Sequence, residues 1–381
     1  MANTLNNLIP DIYRALDVVS RELTGLIPSV TIDAEASRAA VGQTVRSFVA
    51  PEATALDITP SVTNPDNGDQ TIGNVPITIQ KSRYVPIRWS GEEELGVSSG
   101  PGASAIRVNQ IAQAMRTLAN EVETDLAGVH TAFSRAVGAA GTTPFDTAGD
   151  FTDAANALRV LKDNGAPGDN QLVMNTTAGV NLLGKQSRID IQGADSFLRQ
   201  GVLLPLNGIN LRESAQIVNH VKGSATGALV NGALSEGDTA IAFDAATAGA
   251  TGIKAGDVIT FAADSDNQYV VTAGATTASG TITIGAPGLR RDIPDNNAIT
   301  IVGNAPHNMA FSRSAIVLAN RLPAMPAGGD SAEDVTTVTD PNSGLSFEVV
   351  RYLERRRVRW EIGTAWGANM VKPEHTALLL G

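Results

Sequence analysis

The side chains of this sequence most able to do chemistry are charged ones, and they come in runs. The densest run is Glu354-Arg355-Arg356-Arg357, with Arg359 two residues on. On a single strand Arg355, Arg357 and Arg359 would share a face, because strand side chains alternate. Such a face suits phosphate contacts, ion pairs with an acidic neighbouring subunit, or plain solubility. In a chain of net charge −11, inter-subunit pairing is the first expectation and enclosed nucleic acid the second. Glu92, Glu93 and Glu94 form an acidic run. They could ligate a metal ion, but a solvated face or an inter-subunit charge partner is the plainer reading. Lys81 and Arg83 join the candidates because they put charge where an alternating strand pattern calls for apolar residues. The four histidines, His130, His220, His307 and His375, lie far apart with no HExxH-like spacing, and each is read as an ordinary surface or core residue. Asp264, Asp266 and Asn267 begin like a calcium loop but lack its later Gly and Glu, so a surface loop is expected there. There is no GxSxG, no P-loop and no GxGxxG after a strand. With no Cys, disulfides, thiolate–zinc sites and thiol catalysis drop out. No catalytic, cofactor or metal residue is assigned, and the chain is not expected to be an enzyme.

These side chains need elements to carry them, and the longest candidate runs from Ala103 to Val137. Val108, Ile111, Met115, Leu118, Val122, Leu126, Val129, Phe133 and Val137 recur at helical steps, with Arg116, Glu121 and Glu123 among the residues on the other face. At about 1.5 Å per residue this predicts a spine of about 50 Å. Before it, Ile12, Leu16, Val19 and Leu23 predict a short amphipathic helix. Val75, Ile77, Ile79, Val85, Ile87 and Trp89 predict a long strand with a partner near Ala53 to Val62 and a polar tip at Asn64 to Asp69. A two-stranded hairpin is marginal alone, so it must lie on its own domain or on a neighbour. After the spine, helix and strand patterns alternate up to about Val218, predicting a compact α/β unit. From Val221 to Asn304 helical periodicity vanishes and short strands recur, predicting an all-β barrel or sandwich inserted in the host domain. Met309 to Ala319, Thr336 to Thr339, Ser346 to Arg351 and Val358 to Trp366 then resume the host, with a hairpin turn at Asp340 to Gly344.

Hydrophobic content of 43% and charged content of 18% mark a globular chain, long enough for two or three domains. The acidic balance argues against a general nucleic-acid binder while leaving room for a local basic patch. No secretory leader pattern and no apolar run long enough to span a membrane are visible, so the chain is expected to stay in a cytoplasm.

In this order the parts resemble a known family. The spine's Met115-Arg116-Thr117-Leu118-Ala119-Asn120-Glu121-Val122-Glu123, the insertion's Gly256-Asp257-Val258-Ile259-Thr260-Phe261, Asn308-Met309-Ala310-Phe311-Ser312-Arg313-Ser314-Ala315-Ile316 and the closing Gly367-Ala368-Asn369-Met370-Val371-Lys372-Pro373-Glu374 carry it. The chain resembles the major capsid proteins of tailed bacteriophages, an α+β fold of the Hong Kong 97 type. It is most similar to the coat proteins of short-tailed Salmonella phages, whose α/β domain carries a β-barrel insertion. The resemblance implies an N-arm (1–40), an extended loop with peripheral strands (41–97), a spine helix (98–140), an axial domain (141–220 and 305–381, with the closing peripheral strands) and a β-barrel insertion (221–304). It implies self-assembly into hexamers and pentamers of an icosahedral shell in the host cytoplasm, around double-stranded DNA held non-specifically. The implied partners are a scaffolding protein, a portal and a decoration protein, with no cofactor and no membrane; no covalent cross-link is expected. A secreted or surface-layer adhesin subunit is the alternative, and an enzyme carrying an inserted β-domain the more distant one.

Overall fold

A computed structural model describes residues 24–49, 55–60, 62–63, 69, 72–98, 102–147, 150–186, 205–247, 249–340 and 343–381. The expected helix face of Ile12, Leu16, Val19 and Leu23 and most of the Asn64 to Asp69 tip lie outside these residues. The fold is mixed α+β. Strands β1 (Thr31–Ala39), β2 (Thr44–Val49), β3 (Gly73–Thr78) and β4 (Lys81–Ser90) lead into α1 (Gly91–Ser98) and α2 (Gly102–Gly128). Then come β5 (Arg135–Gly138), α3 (Thr152–Asp163), β6 (Asn170–Met174), α4 (Thr176–Gln186) and β7 (Ile209–Glu213). The β-rich stretch holds β8 (Asn219–His220), β9 (Leu229–Val230), β10 (Ala240–Asp244), β11 (Val258–Phe261), β12 (Asp264–Ala273), β13 (Gly280–Ile284) and β14 (Ile299–Ile301). The chain closes with β15 (Ala305–Ser312), β16 (Ile316–Pro323), β17 (Asp334–Thr339), β18 (Ser346–Glu354), β19 (Arg357–Met370) and β20 (Thr376–Leu380).

The spine helix is shorter than its sequence pattern predicts. Ile111, Met115, Leu118, Val122 and Leu126 are buried against Trp360, Ile362 and Trp366 of β19. The helix stops at Gly128, one 3-10 turn follows, and Arg135–Gly138 becomes strand β5. The step of four from Phe133 to Val137 fits both the helical and the strand period, so the pattern alone cannot choose. Parallel pairing of β5 with Ala377–Leu380 of β20 decides it. Glu123, placed on the polar face by period, is buried instead. Its carboxylate accepts the backbone N–H groups of Leu26 (2.7 Å) and Ile27 (2.9 Å), donors left over at the start of the Ile27–Ser29 turn.

Two sheets organise the rest. In one, the order is β1-β16-β19-β18-β17, with β4 also on β19. The strand expected over 75–89 is split at Ile79–Gln80: β3 pairs antiparallel with β2, and β4 pairs with β19 along its whole length. The partner of β3 is therefore Thr44–Val49, not Ala53–Val62, because alternation marks an edge without naming what pairs with it. The second sheet runs β7-β6-β15-β20-β5 and continues through β12, where Gln268 and Tyr269 pair with Ala136 and Arg135. Beyond that seam the order is β9-β10-β13-β12-β11-β14. A bridge from Leu229 to Ala298, with the Val230 N–H donating to Asn297 O (2.9 Å), brings the last strand back to the first. These strands enclose their own core of Phe243, Ile259, Phe261, Tyr269, Val271 and Ile282. The stretch expected to be a surface loop, Asp264 to Asn267, is instead the start of β12, because pairing with β11 draws it into the sheet. Asp264 is buried and accepts from Tyr269 OH (2.6 Å) and Asn267 Nδ2 (2.9 Å), so its charge serves the core.

Candidate assembly surfaces

The β2–β3 ribbon is a two-stranded sheet separate from the two larger ones. Its root is fixed: Ile77 and Ile79 are buried with Ala39, Val317, Ala319 and Ala365. Gly367 of β19 permits this approach, since a Cβ there would lie 1.9 Å from Thr78 O. Away from the root the ribbon has only two strands, and apolar side chains face solvent. Phe48 is 80% exposed and Ile58 99%, and Leu56, Val62 and Ile72 are exposed as well. Burying such side chains is worth about 1.5–3 kcal/mol each. Exposed apolar side chains gathered in one stretch of chain are a candidate contact surface. The sequence carries the signal: Leu56, Ile58 and Val62 sit in a Pro- and Asp-rich stretch that forms no core strand.

Lys81 and Arg83 at the start of β4 face the spine. Lys81 Nζ lies 2.7 Å from Asp125 Oδ1 and Arg83 Nε lies 3.7 Å from Glu121 Oε2. Residues two apart on a strand and four apart on a helix meet in register, so the break in the alternating pattern marks where apolar packing gives way to ion pairs. Asp125 also accepts from Trp366 Nε1 (2.8 Å), tying helix, β4 and β19 at one point.

The arginine cluster is a hairpin turn, not one strand face. Glu354 pairs with Arg357, leaving Arg355 and Arg356 as the two-residue loop, with Arg356 at φ 60°. Arg359 is engaged inside the chain, with Nε 3.1 Å from Glu361 Oε1 and 3.5 Å from Glu354 Oε1, and the guanidinium over the Tyr352 ring. Arg355, Arg356 and Arg357 remain exposed. Because β4 pairs with β19, the acidic run comes beside them: Gly91 N–H donates to Arg356 O (3.1 Å). A groove of about 780 Å³ has Glu92 and Glu94 on one side and Glu354 to Val358 on the other. Glu93 caps α1: it accepts from Ser90 N (2.7 Å) and Oγ (2.9 Å), while Ser90 Oγ accepts from Glu93 N (3.3 Å). Those hydrogen bonds from Ser90, with Arg88 and Arg357 nearby, hold its carboxyl below the usual range. The acidic run and the arginine turn thus line opposite sides of one groove.

No family model matches the chain, and no curated protein sequence matches it. Solved structures similar to it include the capsid of the cyanophage P-SCSP1u, 11% identical over 92% of this chain and 86% of that one, with a TM-score of 0.47. The capsid of a native GTA particle is 11% identical over 94% and 90%, TM-score 0.47. The capsid of the Myoviridae phage XM1 is 10% identical over 94% and 92%, TM-score 0.45.

Sequence spacing misses one convergence entirely. His130, His220 and His307, three of the four histidines, pack ring to ring. They come from the end of the spine and from the strands entering and leaving the β-rich stretch, so only topology unites them. Burial pushes His307 down to about 2 and lowers His130.

Proposed function

We propose that this chain is a major capsid protein of the Hong Kong 97 type, assembling into the icosahedral shell that encloses the double-stranded DNA of a tailed bacteriophage. The observation that carries the reading is the β2–β3 ribbon, anchored at its root and apolar beyond it. A second copy of the chain covers that surface in a shell, where heterologous contacts close on a curved lattice. The ribbon is the extended loop, α2 the spine helix of the peripheral domain, and the sheet β7-β6-β15-β20-β5 the axial domain. Residues 221–304 form a barrel insertion seated on that domain through the β5–β12 pairing. Arg355, Arg356 and Arg357 present the basic turn to a neighbouring subunit, with packaged DNA as the competing occupant. A scaffolding protein, a portal and a decoration protein complete the assembly, which takes place in the host cytoplasm. Among the described residues no helix is long and apolar enough to cross a membrane.

Electron microscopy of the purified chain after sedimentation, with and without its scaffold, tests the reading. Closed shells or capsid-like rings are expected. A monomer that stays inert with scaffold present refutes it.

A further inference from the structure

The ring cluster is built like a metal site. One ligand nitrogen from each of His130, His220 and His307 lies within 4.8 Å of the others. His130 and His307 are buried, 5% and 2% exposed, yet His130 Nε2 and His307 Nδ1 have no hydrogen-bond partner. A buried polar atom without a partner is costly, and two of them in one cluster of rings call for a shared ligand. The opposite ring atoms are held as a metal site requires. His130 Nδ1 is 2.9 Å from Ala127 O, and His220 Nε2 is 2.8 Å from Asp257 Oδ1. A backbone carbonyl or carboxylate on the far nitrogen fixes the tautomer and turns the near nitrogen toward the ion. Asp257 is itself buried and oriented by the Gly223 and Lys254 N–H groups (2.9 and 2.7 Å). Gly256 leaves room for the ring, since a Cβ there would sit 2.9 Å from His220 Cε1.

We propose that His130, His220 and His307 bind one divalent transition-metal ion of the zinc class. Three neutral imidazoles suit zinc, nickel or copper, not calcium or magnesium. Metal–nitrogen bonds of about 2.0–2.1 Å require the rings to draw in by roughly 1 Å. The ion joins three segments distant in sequence: the 3-10 turn after α2, the strand entering the β-rich stretch (β8) and the strand leaving it (β15). It therefore clamps that module to the spine. The proposal is independent of the capsid reading and does not alter it.

The test uses the full chain, stripped with a chelator and titrated with zinc by calorimetry and with cobalt by visible absorption. One ion per chain is expected. X-ray absorption of the zinc-loaded, unaltered protein should show three imidazole nitrogens at bonding distance. His307→Gln and His130→Gln should lose stoichiometric binding, and His375→Gln should keep it. Zinc should also raise the melting temperature of the unaltered chain. No binding, an all-oxygen coordination shell, or unchanged binding in His307→Gln overturns the proposal. If the glutamine variants do not fold, the absorption spectrum of the unaltered protein still decides.

Discussion

The β2–β3 ribbon and the β-rich stretch from 221 to 304 are made of similar material and meet opposite fates. Both contain short antiparallel strands rich in Val, Ile and Thr. Six strands of the second wrap round and shut their apolar faces inward on Phe243, Phe261 and Tyr269. The ribbon has two strands, cannot enclose anything, and leaves Phe48 in solvent, as the segment between its strands leaves Ile58. The difference is one of strand number and closure, not of residue type. A module that closes buries its own apolar faces; a ribbon that does not leaves them for whatever covers it, which under the proposed function is a second copy of the chain.

Replacing Phe48 and Ile58 together by Asp should abolish closed shells in electron microscopy, while the free chain's stability moves by less than about 0.5 kcal/mol. Shells of normal size from this variant would mean the ribbon closes nothing. Phe261→Ala in the closed module should do the reverse, costing about 3–5 kcal/mol in urea unfolding because it empties a filled core. Gly367→Ala probes where the ribbon meets the body. A methyl group against Thr78 O must push β3 away, and a loss of about 1–3 kcal/mol with displaced ribbon-root signals in NMR is expected.

Glu123→Gln sharpens the picture at the other end of the spine. Glutamine keeps one acceptor for two N–H donors, so a loss of about 1–3 kcal/mol is expected. Burial raises the Glu123 pKa in the folded chain above its ordinary 4.5, against the pull of the Leu26 and Ile27 N–H groups. Its folded-state advantage is therefore full below that ordinary value and shrinks as pH rises through the raised one. The stability gap between the unaltered chain and Glu123→Gln should narrow in the same direction, measured by urea unfolding across pH. The smallest effect concerns net charge. If the proposed function holds, copies of a chain at −11 repel one another before assembly, so assembly followed by light scattering should speed up with added salt. A rate that is flat with ionic strength removes net charge from the argument.

Sequence by itself determined much of the scaffold. The apolar steps of the spine from Ile111 to Leu126, β10, β11, β13 and β14 of the β-rich stretch, β6, α4 and the β17–β18 hairpin read directly, because each is a local periodicity bounded by turn residues, whereas β8, β9 and the start of β12 do not. Lys81 and Arg83 were visible as a break in pattern, though not as partners of Asp125 and Glu121. What tertiary structure alone decided is whatever depends on who pairs with whom. β5 is a strand because β20 lies beside it, and the arginines form a turn because β18 and β19 pair through Glu354 and Arg357. Glu123 is buried because two orphaned N–H groups reach it, and three histidines meet because the end of the spine and both ends of a module converge. Period reports which face a residue shares with its near neighbours; it carries no information about contacts made across a hundred residues of chain.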